Sequence, residues 1–130
     1  MKRAYLAAAV LGVLGLVAIA PASAHHSFAA TYFEDQTTKI EGDLVQFQFR
    51  NPHSYVHMEA KDGEGVVQRW TIEWGSGMQL STQGLTATTL RVGDHVVVTG
   101  APGGGPQDHR MRMRSIERPK DGFKWNGTFQ

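Results

Sequence analysis

Four histidines stand where metal chemistry could begin. His25 and His26 follow an apolar leader, while His53 and His57 sit in Asn51-Pro52-His53-Ser54-Tyr55-Val56-His57. If the leader is cut after Ala24, His25 gains an N-terminal amine beside its imidazole. That amine has a reference pKa of about 7.7–8.0, so a metal can displace its proton near neutral pH. Amine and imidazole nitrogens suit Cu(II), and imidazole also suits Zn and Ni. The expected site is therefore a transition-metal site, copper first. His25 would anchor it, with His26 and His53 or His57 adding ligands. On one extended strand His53 and His57 would lie about 13 Å apart. They meet at one metal only if the Pro52 corner turns His53 back. The plainer alternative is four polar residues on a wet surface, since no His-x-x-x-His pair lies on a helix.

Other candidates are weaker. Met111 and Met113, with His109 in line, could hold Cu(I) through thioethers, but Met alternating with Arg also suits gap-filling in a barrel core. Arg110, Arg112 and Arg114 form a basic stripe. Export and a near-neutral charge argue against nucleic acid, so a solvated outer face is expected. Gly103-Gly104-Gly105 lacks the Lys-Ser or Lys-Thr of a phosphate loop. Asn126-Gly127-Thr128 is a glycosylation triplet of a kind common by chance. No Ser-His-Asp or paired-carboxylate spacing implies catalysis, so the reading is capture or delivery of a metal rather than turnover. The rival is a metal-free module whose Tyr55/His57 face holds a small ligand or a periplasmic partner protein.

The elements that must position these residues begin after the leader. Lys2 and Arg3 precede the apolar run 4–20, and Pro21-Ala22-Ser23-Ala24 ends in the small-x-small pattern of a signal-peptidase site. Residues 1–24 are thus expected to be a signal peptide and 25–130 one exported, periplasmic domain. The run is short for an anchor that spans a membrane with about 20 residues. Of 13 Lys and Arg against 12 Asp and Glu, the leader removes two basic residues and leaves a net charge of −1. That balance exerts no general pull on nucleic acid or anionic membranes. There is no Cys, so neither a disulfide nor a lipid-anchored start is expected.

Period and punctuation then predict the strands. The first covers 37–49, with a change of core face near Leu44-Val45 that implies a bulge, Gly42 at a tight bend, and Asn51-Pro52 as its stop. The second covers 54–61 and the third 66–74, joined by Asp62-Gly63-Glu64-Gly65. Ser76 caps a short helix over 77–83 that ends at Gly84. The fourth strand is 95–99, residues 101–106 form a loop, and the fifth strand is 108–117. Phe28, Tyr32 and Phe33 pin the leading segment, and Phe123 and Trp125 pack a short tail. Three strands, a helical connection and two strands predict an all-β fold, a small five-stranded OB-like barrel.

His25-His26-Ser27-Phe28-Ala29-Ala30 directly after a signal peptide, Gly42, and Asn51-Pro52-His53-Ser54 resemble a family of short exported bacterial proteins of uncharacterised function. The resemblance runs over most of the exported chain. It implies a periplasmic protein with a small barrel domain and carries no activity with it.

Overall fold

A computed structural model describes residues 31–105 and 107–129. Its strands are β1 (Thr38–Gln48), β2 (Tyr55–Lys61), β3 (Val67–Glu73), β4 (His95–Gly103), β5 (Arg110–Arg118) and β6 (Phe123–Asn126), with a short helix α1 (Gly77–Thr82) between β3 and β4. The sheet order is β3-β2-β1-β4-β5-β6, and a further parallel pairing of β3 with β5 closes the first five strands into a barrel. This is the expected OB-type closure, with β6 added outside β5.

β1 does the work of two strands. Thr38–Asp43 pairs with β4, while Gly42–Gln48 pairs with β2. Gly42 and Asp43 therefore belong to both ladders. A Cβ at Gly42 would collide with the Glu59 carbonyl, so the glycine is needed for close approach of β2 as well as for the bend. The register shifts between Leu44 and Gln46, where the alternation in sequence breaks. One extra residue there turns the strand's inward set over and lets a single strand curl around the barrel.

Ile40, Leu44, Val56, Met58, Ile72, Val96, Val98, Met111, Met113 and Ile116 fill the interior. Met111 and Met113 thus serve the core, as their alternation with arginine suggests. The plug over one end is α1. Ser76 Oγ accepts the Gln79 N–H while the Gln79 side chain accepts the Ser76 N–H, a reciprocal cap that starts the helix. Leu80, with Leu85 and Leu90 from the following turns, is buried beneath it. On the added strand, Trp125 packs edge-on against Trp74 at 5.0 Å and donates its indole N–H to Gln83 Oε1 at 2.6 Å.

The largest departure from the expected boundaries is β4. It runs to Gly103 rather than stopping near Thr99, because a register shift between Thr99 and Gly100 lets the strand bend and continue against β5. Gly100 sits where any Cβ would run into the Arg112 carbonyl. The Pro102 carbonyl accepts the Phe33 N–H at 2.8 Å.

Candidate functional site: a buried carboxylate beneath an N-terminal strap

The residues just before β1, 31–37, form a strap across the outer face of β4 and β5. Tyr32 bridges to Gly103, and its ring occupies the space a Cβ at Gly103 would need. Farther along, Arg112 Nη1 donates to Glu34 Oε1 at 2.8 Å, and Arg114 Nη1 donates to the Gln36 carbonyl at 2.9 Å and to Thr37 Oγ1 at 2.8 Å. Burial alone would raise the Glu34 pKa, but its bonds to Arg112 and Arg114 outweigh that and hold it below the usual carboxylate value. The basic stripe is thus only partly the solvated face expected of it. Arg112 and Arg114 are clamps for the strap, and Arg110 remains exposed.

Beneath the strap lies Glu73, at the end of β3 on the outward parity yet only 8% exposed. The Tyr32 hydroxyl donates to Glu73 Oε2, and His53 Nδ1–H donates to Glu73 Oε1. Burial first, and then the hydrogen bond and charge of Glu73, push the Tyr32 pKa well above the ordinary phenol value. Tyr32 therefore stays a hydroxyl donor at any physiological pH. In the neutral form of the ring this bond puts the proton on Nδ1, and the lone pair is then on Nε2, on the far side of the ring from the carboxylate.

The corner that carries His53 is fixed by backbone and side-chain bonds. The Asn51-Pro52 peptide is cis. Ser54, fully buried, donates its N–H to the Gly75 carbonyl at 3.0 Å and accepts the Trp74 N–H at 2.8 Å. Its hydroxyl donates to the Arg50 carbonyl and accepts the Arg50 N–H, each at 3.2 Å. Asn51 Oδ1 accepts the Met78 N–H at 3.1 Å and ties the corner to the start of α1. Asn51 and Ser54 of the Asn-Pro-His-Ser motif are consequently positioning residues for His53.

His57 goes elsewhere. It lies opposite Thr71 in the β2–β3 register, with Nδ1 at 3.2 Å from Thr71 Oγ1, and its ring stacks on Tyr55 with centroids 6.4 Å apart. Burial, then Arg69 and Arg50, lower its pKa. The structure thus gives His53 and His57 different partners. His25 and His26 lie outside the described residues. Among the described residues, no three His, Cys, Asp or Glu side chains form a group able to hold a metal. His95 bonds Asp43 at 2.7 Å and Glu41 at 3.0 Å on an exposed face, and His109 packs edge-on against Trp70.

Sequence reasoning missed Glu73 and gave Tyr32 only an anchoring role. Glu73 follows a buried Ile72 and precedes a buried Trp74, so parity placed it outside, where a carboxylate is unremarkable. Its burial comes from the strap.

The fold and site together define a closed OB-type barrel with a histidine–carboxylate–tyrosine network under an N-terminal strap. The chain belongs to a family of unknown function, DUF6152, whose model matches residues 14–111. A search of curated proteins finds no match.

Proposed function

We propose that the protein captures or delivers a transition metal, copper first, in the bacterial periplasm. His53 is one ligand, through Nε2. His25, by amine and imidazole together, and His26 are the others, with His57 as the alternate imidazole. The observation that carries this reading is the His53–Glu73 bond. Metal-ligating histidines characteristically donate their other ring N–H to a carboxylate, which fixes the tautomer and raises ligand basicity. The strap supports it further, because Tyr32 holds the same carboxylate. Five residues lie between His26 and Tyr32, and the six steps of an extended chain span at most about 20–22 Å. The N-terminal nitrogens are therefore within covalent reach of His53.

The test is competition titration with Cu(II), Zn(II) and Ni(II) on protein that begins at His25. His53→Ala should weaken Cu(II) binding by at least about tenfold, as loss of a ligand exceeds loss of an outer partner. Unchanged affinity would remove His53 from the site and leave the metal-free reading, which the Tyr55–His57 stack favours, as the better one.

A further inference from the structure

The outer face of β2, β3 and β5 carries a second constellation, separate from the His53–Glu73 pair. The register aligns His57 with Thr71 and Thr71 with Arg110 across three strands. One row away, Glu59 aligns with Arg69, and on the other side Tyr55 aligns with Glu73. Thr71 is shorter than either of its neighbours in the row, so the row dips at its centre, between an imidazole and a guanidinium. Arg50 reaches over the Tyr55 ring, with its guanidinium carbon 5.2 Å from the centroid. Tyr55 in turn stacks nearly parallel on His57, with 17° between the ring planes.

Charge on this face is not balanced locally. Arg112, Arg114 and Arg118 all make ion pairs. Among the described residues, Arg50, Arg69 and Arg110 have no carboxylate within ion-pair distance. All three are exposed. Of the two carboxylates nearest in register, Glu73 is engaged by Tyr32 and His53, and Glu59 is exposed beside Arg69 without an ion pair to it. At His57 burial, and then Arg69 and Arg50, lower the pKa; at Tyr55 burial, and then Glu73, raise it against the opposing pull of Arg50 and Arg110.

We propose that this face is a binding site for a small aromatic carboxylate, with the ring stacked on the outer face of His57, which Tyr55 backs from the other side, and the carboxylate held by Arg69 and Arg110 over Thr71. A guanidinium fork matches a carboxylate in a planar, two-bond arrangement. A half-exposed pair of parallel rings offers an offset-stacking surface for a third. The face is a few side chains wide, which suits a single-ring acid. The site uses none of His25, His26 or His53; it rests on the metal-free reading of the Tyr55–His57 face, and because His57 is also the alternate metal ligand, it is tested on metal-free protein.

The probe is benzoate, titrated into chelator-treated protein and followed by the backbone and histidine ring resonances, with acetate and inorganic phosphate as comparisons. Benzoate should shift His57, Thr71 and Tyr55 saturably and bind at least about fivefold more tightly than acetate, the margin a stacked ring contributes. Arg69→Gln with Arg110→Gln should weaken benzoate by about tenfold or more, since bonds to a charged partner carry most of the carboxylate's affinity. His57→Leu should bring benzoate down toward acetate while leaving acetate itself nearly unchanged. Equal binding of benzoate and acetate would overturn the ring assignment. Shifts that persist in the double arginine variant, or that fall on residues away from β2, β3 and β5, would overturn the site. Preference for phosphate over both carboxylates would make it a general anion patch and refute the ligand class.

Discussion

Replacing Glu73 by Gln tests the central network with the least change in shape. The carboxylate accepts two charge-assisted bonds, from Tyr32 and His53. Such bonds contribute about 1.5–3 kcal/mol each, against about 0.5–1.5 for neutral ones. The Tyr32 bond is dry, because Tyr32 is 3% exposed, so neutralising it should cost about 1 kcal/mol. The His53 side chain is 36% exposed, and solvent screening reduces its share to a few tenths. The expected loss is therefore about 1–2 kcal/mol, or a fall in Tm of roughly 5–15 °C for a domain of this size. Gln has one acceptor and one donor where Glu has two acceptors. If its oxygen keeps the Tyr32 hydroxyl, its N–H meets His53 Nδ1, and the ring must move its proton to Nε2. That blocks the proposed ligand atom, so Cu(II) affinity should fall by about 10–100-fold. Urea denaturation gives the stability. Nitrogen chemical shifts of His53 give the tautomer. A double-mutant cycle with Tyr32→Phe gives the coupling, expected at about 1 kcal/mol. Additivity within about 0.5 kcal/mol, with the His53 proton still on Nδ1, would refute the network.

Three further outcomes follow from the same reasoning. A form beginning Met-His25 keeps every imidazole but moves the amine one residue away, so its Cu(II) affinity should fall at least about tenfold relative to protein beginning at His25; equal affinities would exclude amine ligation. Histidine titration by NMR should place His95 above the ordinary imidazole value, because Glu41 and Asp43 bond its charged form, and His57 below it, through burial and then Arg69 and Arg50. His95 then stabilises the fold below its unfolded pKa of about 6.5, an effect lost as pH rises through its folded pKa, whereas the His57 contribution is present above about 6.5 and lost as pH falls through its folded pKa; the reverse order of titration would contradict the geometry. Gly42→Ala should destabilise by about 1–3 kcal/mol through overpacking against the Glu59 carbonyl, read as a lower urea midpoint at unchanged slope; a neutral substitution would mean that β1 and β2 can separate there without cost.

Much of the barrel follows from local patterning. Two-residue alternation marks β2, β3 and β5, because each has one face in the core and one in solvent, and that asymmetry is written into every second residue. The break at Leu44-Val45 foretold the bulge between Leu44 and Gln46, and Ser76 and Gly84 bracketed the helix because capping is a short-range hydrogen-bond requirement. The histidines, too, were visible as a residue type. Their partners were not. Tyr32, His53 and Glu73 are separated by 21 and 20 residues in the chain, and no periodicity links them. β2–β3 pairing sets the His53 corner beside the end of β3, and Arg112 and Arg114 hold the strap that carries Tyr32 across β4 and β5. Parity could say that Glu73 points outward. Only the tertiary structure could bury it, since burial on the outer face depends on what another segment lays over it, and that segment is held by charges some 80 residues away.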